Sequence, residues 1–329
     1  MTVTTGDNGP CWLLTGGAGY IGAHIVRAFG EHRLRVVVLD DLSAGIRNNV
    51  PADVPFVEAR LQDEDAVRST IREHGVTGVL QLAAKKAVGE SVENPVLYWD
   101  ENVGGFARLL DVCTQEGVER YLFSSSAAVF GNPPVEFVTE ETPAAPMSPY
   151  GETKLVGEWM LRDLATANPK VRWSALRYFN VAGTASPELA DRSVANLVPM
   201  TFERLTGGSK PQLFGDDYDT RDGSCIRDYI HVVDLADAHA AAAARIDEGP
   251  LGEVYNVGRG EGVSVKEVFD TVRAVTGMDF EVDVVGRRAG DPAAYFADAS
   301  KIRDQLGWTA GLDLTEMVTS AWDGWQKTH

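Results

Sequence analysis

Cysteine and histidine are scarce in this chain, and neither is arranged as a disulfide or metal site requires. The 329 residues include three cysteines, Cys11, Cys113 and Cys225, and six histidines. An odd number of widely separated thiols does not make a disulfide framework, and neither residue type shows metal-ligand spacing. The sequence therefore predicts no metal site, and it favours buried, reduced thiols in the cytoplasm.

Long apolar runs and net positive charge are lacking as well. No apolar stretch approaches the ~20 residues that cross a membrane, and residues 1–10 are polar, so neither a membrane span nor a signal peptide is expected. Acidic residues outnumber basic ones 48 to 30, which gives a net charge of −18 at pH 7. Such a surface disfavours nucleic acid and anionic membranes as partners, and it leaves any anionic substrate to a local group of arginines.

Apolar runs that predict strands alternate with amphipathic stretches that predict helices. Strands are predicted over residues 11–14, 36–39, 54–61, 78–83, 121–126 and 171–177, and helices over 63–73, 96–116 and 150–166. This alternation predicts an α/β fold in which a doubly wound parallel sheet carries helices on both faces.

A glycine-rich turn follows the first predicted strand. Its sequence is TGGAGYIG over residues 15–22, and helical apolar spacing begins inside it. Gly16, Gly19 and Gly22 let the backbone approach a pyrophosphate, and the helix N-terminus favours its charge. Asp40 ends the next apolar run, 18 residues after Gly22. A carboxylate there holds the ribose 2′-hydroxyl of NAD and repels the 2′-phosphate of NADP, so the segment predicts a Rossmann site for NAD.

The length suggests about two domains. The Rossmann domain is expected over residues 1–181, completed by a helix and a strand at about 229–259. Loops rich in Gly, Pro and Asp break the alternation beyond residue 182. We expect residues 182–228 and 260–329 to form a smaller C-terminal lobe that binds substrate and closes over the cofactor.

Tyr150 and Lys154 lie four residues apart, directly after Pro149. Proline suits a helix start, and this spacing puts the phenol and the ammonium on one helical face. The lysine charge is expected to lower the pKa of the tyrosine from ~10 towards working pH, which makes a general base for the proton of an alcohol. Ser126 ends a neighbouring strand, where its hydroxyl could hold a substrate hydroxyl.

Together these segments resemble the extended short-chain dehydrogenase/reductase family and, within it, the UDP-glucose 4-epimerases (galactowaldenases). The resemblance spans about residues 13–325. The glycine turn and the Tyr–Lys pair mark the superfamily, whereas KAVGES over 86–91 and YFADASK over 295–301 are specific to the epimerases. Further matches are SSSA over 124–127, RYFN over 177–180, RDYIHV over 227–232 and GD at 290–291.

The resemblance implies an enzyme, an NAD-dependent isomerase that inverts C4 of a nucleotide hexose. The reaction would interconvert UDP-glucose and UDP-galactose through a transient 4-keto sugar, as in galactose metabolism. In this scheme Tyr150 removes the proton of the 4-hydroxyl, Ser126 orients that hydroxyl, and Lys154 lowers the tyrosine pKa and holds the nicotinamide ribose.

The resemblance also assigns side chains to the two ligands, and it makes the C-terminal lobe the nucleotide-sugar lobe. Cofactor contacts are implied for Gly16, Gly19, Tyr20, Ile21, Gly22, Asp40, Asp41, Leu42, Ser43, Arg60, Leu61, Leu82, Ala83, Ala84, Lys86, Asn102, Tyr150, Lys154 and Phe179. Contacts with the UDP-sugar substrate are implied for Lys86, Ser126, Tyr150, Asn180, Asn196, Leu197, Gln212, Phe214, Arg227, Arg288, Asp291 and Tyr295.

Six residues depart from the family pattern, Gln81 and Glu152 among them. Arg60 stands where an aspartate usually lies near the adenine, which bears on the choice of NAD over NADP, and Asp41 replaces a common asparagine. Ala128 and Phe130 replace hydroxyl-bearing residues near the sugar. These differences leave open a 4-epimerase of another nucleotide sugar, such as a dTDP-hexose or a UDP-uronic acid.

Two other enzyme classes share the fold and the Tyr–Lys pair. Nucleotide-sugar 4,6-dehydratases carry an Asp-Glu pair where this chain has Ala127 and Ala128, and UDP-glucuronate decarboxylases usually have a glutamate at Ala128. Loss of water needs an acid and a base that alanines cannot supply, so both classes are disfavoured. A non-catalytic nucleotide-sensing protein typically loses the Tyr or the Lys, and this chain keeps both.

The resemblance further implies a homodimer and a restriction on the sugar. Helices at about 96–116 and 150–166 would form a four-helix bundle, with apolar content from Leu97, Val103, Phe106, Leu109, Leu110, Leu155, Trp159 and Leu164. Tyr295 would line the pocket near the C2 substituent, where its size is expected to exclude an N-acetyl group.

Overall fold

The computed structural model describes residues 9–248, 252–288 and 291–328. Residues 1–8, on which most of the signal-peptide expectation rests, lie outside the described residues, as do 249–251 and Gly290 of the GD motif. Within the described ranges, no helix is both long and apolar enough to cross a membrane.

Fourteen strands and eleven α-helices lie in the described residues. The strands are β1 (Cys11–Thr15), β2 (Arg35–Asp40), β3 (Phe56–Glu58), β4 (Val76–Gln81), β5 (Arg120–Ser126), β6 (Phe137–Val138), β7 (Arg172–Tyr178), β8 (Asn180–Ala182), β9 (Gln212–Phe214), β10 (Ile226–His231), β11 (Gly252–Val257), β12 (Gly262–Ser264), β13 (Asp283–Val285) and β14 (Ala294–Ala297). The helices are α1 (Tyr20–Glu31), α2 (Glu64–His74), α3 (Val88–Glu93), α4 (Pro95–Tyr98), α5 (Gly105–Gln115), α6 (Pro149–Ala167), α7 (Leu197–Thr206), α8 (Val232–Arg245), α9 (Val265–Thr276), α10 (Ser300–Leu306) and α11 (Leu314–Thr328). A π-helical turn, Trp99–Gly104, joins α4 to α5.

Seven strands form the main sheet in the order β11-β7-β5-β4-β1-β2-β3, and every neighbouring pair is parallel. Successive strand residues alternate between two apolar clusters, because side chains of a strand point to opposite faces. Ile25 of α1 and Leu235 of α8 belong to one cluster, whereas Phe106 of α5 and Leu161 of α6 belong to the other. The predicted doubly wound α/β fold is therefore confirmed.

The strand order reverses between β1 and β4, and ligands of such sheets bind in the crevice outside the carboxyl ends at that reversal. Thr15 and Gln81 end these two strands. Thr15 Oγ1 donates to Gln81 Oε1 at 2.7 Å, and Gln81 Nε2 donates to Ala83 O at 2.7 Å. The two residues thus fix the strand ends that border the crevice.

The C-terminal half builds a second, smaller set of strands. β12, β10, β14 and β6 form one sheet to which β8 also pairs, and β13 pairs with β9. Phe202 of α7 packs on Trp322 and Trp325 of α11, with ring centroids 5.1 and 6.1 Å apart. Because β6 of the first half pairs with β14, the two parts of the chain interleave. The domain boundary at residue 181 stays a prediction.

The helix predicted over residues 96–116 is interrupted by the π-helical turn. Asn102 in this turn is buried, and its amide donates to Lys85 O at 3.0 Å and to Thr153 Oγ1 at 3.1 Å. Its Oδ1 accepts from Lys85 N at 2.8 Å. The turn therefore anchors the loop that carries Lys86, a tertiary contact that apolar periodicity does not report.

The expectation that eight apolar residues of two helices build a dimer bundle is wrong for four of them. Phe106 stacks on Phe123 inside the subunit, with ring centroids 5.1 Å apart. Amphipathic spacing identifies a buried face but not what buries it. The four residues buried within the subunit are Phe106, Leu109, Leu110 and Leu155. The other four, which keep some exposure, are Leu97, Val103, Leu164 and Trp159.

Three histidines among the described residues are buried as neutral rings. His24 Nε2 accepts from Ala185 N at 3.0 Å, and its Nδ1 donates to Tyr20 O at 2.8 Å. Because a backbone N–H can only donate, Nε2 cannot take a proton without losing that bond. Burial lowers the pKa of His24, His231 and His239 to about 4.

We expect acid to destabilise the protein partly through His24. Its pKa is about 4 when folded and ~6.5 when unfolded, so the unfolded chain takes up the proton first as the pH falls. The stability from the neutral ring is full above pH ~6.5 and is lost as the pH falls towards 4, roughly 2 kcal/mol by pH 4.5. Urea unfolding at pH 6.5 and 4.5 should therefore show a smaller loss for His24→Gln than for the wild type. The exposed His32→Gln is the control, and equal losses in all three proteins would contradict the prediction.

Candidate active site

The turn between β1 and α1 is shaped for close backbone approach. Gly16 has φ +75°, and a Cβ on Gly22 would lie 2.2 Å from Gly16 O. Only glycine allows α1 to pass this close to the turn. In the part of the chain that the structure describes, no side chain caps the N-terminus of α1. Its N–H groups and its dipole are therefore available to an anion.

Asp40 ends β2 beside this turn and is held by two backbone donors. Oδ2 accepts from Ala18 N at 2.9 Å, and Oδ1 accepts from Leu42 N at 2.9 Å. Burial raises the pKa of Asp40, and the two N–H groups act in the opposite direction. Each oxygen retains a second lone pair, so the carboxylate can still accept from a ribose hydroxyl.

A cavity of about 520 Å³ extends from the glycine turn to Tyr150 and Lys154. Its size suits a small-molecule or cofactor site, which typically spans ~300–1,000 Å³. The predicted cofactor residues that line it are Gly16, Gly19, Tyr20, Ile21, Gly22, Asp40, Asp41, Ser43, Arg60, Leu61, Leu82, Ala83, Ala84, Lys86, Tyr150 and Lys154.

Three predicted cofactor residues lie behind this lining within the described ranges. Leu42 packs against the apolar core, with φ +57°. Asn102 holds the Lys85 backbone. Phe179 packs against Tyr295, with ring centroids 5.6 Å apart. The structure thus places Leu42, Asn102 and Phe179 outside the lining of the cavity.

Tyr150 and Lys154 enter the cavity from the first two turns of α6. The helix begins at Pro149, and Ser148 Oγ accepts from Gly151 N at 3.2 Å. Both side chains are buried. Lys154 Nζ donates to Ser124 O at 2.7 Å. Burial lowers the pKa of Lys154 to about 8, so the ammonium is still mostly charged at neutral pH.

The expected lowering of the Tyr150 pKa by Lys154 is wrong for this structure. Burial raises the pKa of Tyr150, and a hydrogen bond with Ser126 opposes that shift. Lys154 Nζ lies 5.9 Å from the centre of the Tyr150 ring and is directed at Ser124 O. The sequence shows that Tyr150 and Lys154 share one face of a helix. It does not show how deeply the phenol is buried, and burial, which raises its pKa, depends on the surrounding fold.

Ser124 connects Lys154 to a buried histidine. Ser124 Oγ lies 2.9 Å from His239 Nε2, and His239 Nδ1 lies 2.9 Å from Leu235 O. Because a carbonyl only accepts, Nδ1 carries the proton and Nε2 accepts from the serine. The same Ser124 provides the carbonyl that holds Lys154, so α8 helps to fix the lysine from behind the sheet. The sequence contained no signal for this role of His239.

Ser126 and Tyr295 come together with Tyr150 although they are far apart in the chain. Ser126 Oγ accepts from Ala128 N at 3.2 Å and forms the hydrogen bond with Tyr150 described above. The Tyr295 phenol lies close enough to raise the pKa of Tyr150 further. The Arg227 guanidinium stacks on the Tyr295 ring at 5.4 Å and approaches Asp291 Oδ1 at 3.6 Å.

The remaining predicted substrate residues lie on the second set of strands, on α7 and on the loops beside them. Exposed Arg288 stacks over Phe214 at 3.8 Å, next to Gln212 on β9. Asn196 precedes α7 and donates to Asp191 Oδ2 at 3.1 Å. Lys86 Nζ donates to Ser193 Oγ at 3.2 Å across the cavity lining. Leu197 packs against the core of the lobe, and Asn180 is exposed at the start of β8.

The departures from the family pattern have different surroundings. Phe130 is fully buried beneath the Arg177 guanidinium, which is 5.0 Å from its ring, so this change belongs to the core. Arg60 lines the cavity and pairs with Glu101. Cavity residues that were not predicted from the sequence include Glu90, Glu101, Tyr178, Asp191 and Arg192. Of these, Glu90 and Tyr178 had a signal, since they lie within the KAVGES and RYFN matches.

Comparisons with known proteins agree with this geometry. Residues 12–258 match the NAD dependent epimerase/dehydratase family. The UDP-glucose 4-epimerase of Azospirillum brasilense is 40% identical over 324 residues, covering 97% of this chain and 92% of that protein. A UDP-glucose 4-epimerase structure from Stenotrophomonas maltophila, with bound NAD and formylated UDP-arabinopyranose, has a TM-score of 0.93 at 36% identity and covers 97% of this chain and 98% of that one. A Bifidobacterium longum UDP-glucose 4-epimerase in complex with NAD+ and UDP has a TM-score of 0.89 at 37% identity, with 96% and 98% covered.

Proposed function

The chain belongs to the NAD dependent epimerase/dehydratase family, and from that premise we propose that it interconverts UDP-glucose and UDP-galactose by NAD-dependent inversion at C4. The observation that carries the proposal is the single cavity that joins the glycine turn and Asp40 to Tyr150 and Lys154. It brings the features of a dinucleotide site next to a tyrosine and a lysine suited to moving the proton of an alcohol. Both relatives with solved structures named above hold NAD.

The residues of the cavity fit the cofactor. The N-terminus of α1 would hold the pyrophosphate, and Asp40 would accept from the adenosine ribose. Bound NAD would supply an acceptor and donor of hydride for C4 of the sugar, and its oxidised nicotinamide ring would add positive charge to the site. Asn102 would act indirectly, by holding the loop of Lys85 and Lys86 that lines the cavity.

Tyr150 would move the proton. Its Oη takes the proton of the 4-hydroxyl when the 4-keto sugar forms, and it gives the proton back when the alcohol is restored on the other face. Because burial raises the pKa of Tyr150, the phenolate needs positive charge nearby. That charge would come from the oxidised nicotinamide ring of the bound cofactor, and Ser126 stabilises the phenolate through its hydrogen bond and orients the sugar hydroxyl. Lys154, held by Ser124 O, would hold the nicotinamide ribose.

The alanines that follow Ser126 argue against dehydration. Ala127 is buried and Ala128 is half-buried directly after the end of β5. An elimination of water from the sugar needs an acid and a base at this place, and neither side chain can move a proton. The 4-keto sugar would therefore be reduced again and not dehydrated.

The experiment that tests this function is incubation of the purified protein with UDP-galactose and no added cofactor, followed by proton NMR. We expect NAD to co-purify and UDP-glucose to accumulate to equilibrium. UDP-N-acetylgalactosamine and dTDP-glucose, run in parallel, distinguish the 4-epimerases of other nucleotide sugars. Conversion that appears only after NADPH is added, or a 4-keto-6-deoxy product, would contradict the proposal.

We propose that Tyr295 restricts the sugar at C2. Its ring contacts Phe179 and the Arg227 guanidinium and lies near Tyr150. A bulky ring there leaves little room for an acetamide, so UDP-N-acetylglucosamine is expected to be a poor substrate. Tyr295→Cys should raise kcat/KM for the acetylated sugar by about tenfold or more, because even one methylene group more or less in an apolar pocket changes discrimination between substrates by ~1–3 kcal/mol. The kcat/KM for UDP-galactose should fall only modestly. Equal kcat/KM for the two sugars in the wild type would refute this assignment.

We propose that uridine diphosphate binds near Arg227 and Arg288. Their planar guanidinium groups match phosphate oxygens, and they bring local positive charge to a protein of net charge −18. Asn180, Asn196, Leu197, Gln212, Phe214 and Asp291 would complete the site from the lobe of residues 182–228 and 260–329. The Rossmann domain of residues 1–181, completed by 229–259, and a cytoplasmic location belong to the same proposal.

We propose a homodimer that buries an apolar patch on α3, α4, the π-helical turn and α6, which contact one another. The patch consists of Val92, Val96, Leu97, Trp99 and Trp159, and Val96 is 78% exposed. Contiguous exposed apolar groups of this kind mark interaction surfaces. Trp159→Glu is expected to give a monomer by light scattering, whereas Val284→Glu, on the exposed strand β13, should leave the dimer intact. A wild type that is monomeric at micromolar concentration would reject the proposal.

A further inference from the structure

Arg60 lies at the place where a cation would favour NADP. It follows β3 by two residues, and Glu58 of β3 pairs in register with Asp40 of β2, so Arg60 and Asp40 share one edge of the sheet. Both residues line the cavity, together with Asp41. In Rossmann sites an arginine near this edge accommodates the 2′-phosphate that distinguishes NADP from NAD. Taken alone, Arg60 would therefore weaken the preference for NAD.

Glu101 engages this arginine. Arg60 Nη2 donates to Glu101 Oε1 at 2.6 Å, and Arg60 Nε lies 4.0 Å from Asp41 Oδ2. The other oxygen of Glu101, Oε2, accepts from Gln62 Nε2 at 3.2 Å. The carboxylate is thus held from two directions, and the Arg60 guanidinium is paired with one carboxylate and faces a second. Arg60, Gln62 and Glu101 all line the cavity.

The backbone that carries Glu101 is also fixed. Glu101 lies in the π-helical turn, directly before buried Asn102, whose amide is hydrogen-bonded to Lys85 and Thr153. Such turns place side chains that a regular helix would direct elsewhere. Glu101 therefore approaches Arg60 from a rigid support, and the corner near Asp40 holds three carboxylates against one guanidinium.

We propose that Glu101 determines the choice of NAD over NADP, by pairing with Arg60 and withholding it from a 2′-phosphate. The Glu101 carboxylate also offsets the positive charge of Arg60, so a phosphate dianion would approach a corner that still carries the charges of Asp40 and Asp41. The inference rests on the proposed NAD-dependent function. It assigns a specificity role to a residue that would act on the cofactor through its neighbour Arg60, so Glu101 is a positioning residue.

The test measures dissociation constants of NAD+ and NADP+ by titration calorimetry on protein stripped of bound nucleotide. Glu101→Gln keeps the shape and can still accept from Gln62, but it frees Arg60. We expect NADP+ to bind about tenfold more tightly to this variant, since a charge-assisted contact is gained, while NAD+ affinity changes less than about threefold. The double variant Glu101→Gln/Arg60→Gln should lose the gain. Glu119→Gln, which removes the same charge from an exposed pair with Lys170, is the control and should behave as the wild type.

The outcomes separate the inference from the function on which it rests. A wild type that binds NADP+ as tightly as NAD+ would overturn the cofactor assignment itself. A wild type that prefers NAD+, together with a Glu101→Gln variant whose NADP+ affinity is unchanged, would overturn the inference alone. A gain that persists in the double variant would show that Arg60 does not receive the phosphate, and it would also overturn the inference.

Discussion

Tyr150→Phe is expected to lower the turnover of UDP-galactose by roughly 10²–10⁴, the usual contribution of a positioned general base. The ring stays, so the packing around the buried Tyr150 should be kept, and only the oxygen that moves the proton is lost. Lys154 would remain in place, because it is held by Ser124 O at 2.7 Å and not by Tyr150. Ser126 would lose its bond with the phenol but keep the one from Ala128 N at 3.2 Å. Turnover is measured by a coupled assay of UDP-glucose formation.

Two further measurements show that this loss comes from the chemistry. The variant should keep its bound NAD and its unfolding midpoint. Tyr255→Phe removes a phenol oxygen that donates to Gln305 Oε1 at 3.0 Å elsewhere in the fold, and it should leave turnover unchanged. Near-normal epimerisation by Tyr150→Phe would remove Tyr150 from the mechanism.

Glu158→Gln is expected to lower the free energy of unfolding by about 3–5 kcal/mol, the range found when one partner of a buried ion pair is removed. Arg177 and Glu158 are 7% and 4% exposed. Arg177 Nε donates to Glu158 Oε1 at 2.9 Å and Nη2 donates to Oε2 at 2.6 Å, while Ser125 Oγ donates to Oε1 at 2.5 Å. The substitution leaves the Arg177 charge buried without its counter-charge. Urea unfolding at neutral pH measures the loss.

The matched control lies on the same helix. Asp163 pairs with Arg162 at the surface, where both side chains are more than half exposed, so Asp163→Asn should leave the unfolding midpoint nearly unchanged. Replacing both buried partners, as in Glu158→Met/Arg177→Met, should restore much of the stability, because no unpaired charge remains. A loss below 1 kcal/mol for Glu158→Gln would contradict the prediction. Since Ser125 lies between Ser124 and Ser126, this network also supports the end of β5 at the active site.

Local sequence patterns were sufficient to predict the fold and the cofactor site at the glycine turn. β1, the glycine turn and α1 are contiguous in the sequence, and Asp40 ends β2, the next strand. The spacing alone therefore predicts that Asp40 lies beside the glycine turn. Tyr150 and Lys154 were found for the same reason, as neighbours on one helix.

The features that the sequence did not predict depend on contacts between segments that are distant along the chain. The pKa of Tyr150 is raised by burial and, in addition, by the nearby phenol of Tyr295, which is more than 100 residues away along the chain. The π-helical turn is held by Asn102 against Lys85 and Thr153, and amphipathic spacing carries no record of those bonds. Periodicity likewise could not tell that α5 directs Phe106 into its own subunit, and it gave no indication that Glu101 would meet Arg60.

The fate of the hydrogen at C4 tests the proposed reaction most directly. The purified protein is incubated in ordinary water with UDP-galactose that carries deuterium at C4, and the product is analysed by NMR and mass spectrometry. Because the mechanism returns the same hydrogen to the same carbon, UDP-glucose should keep the deuterium at C4. Epimerisation with loss of the deuterium to water would contradict NAD-dependent inversion at C4.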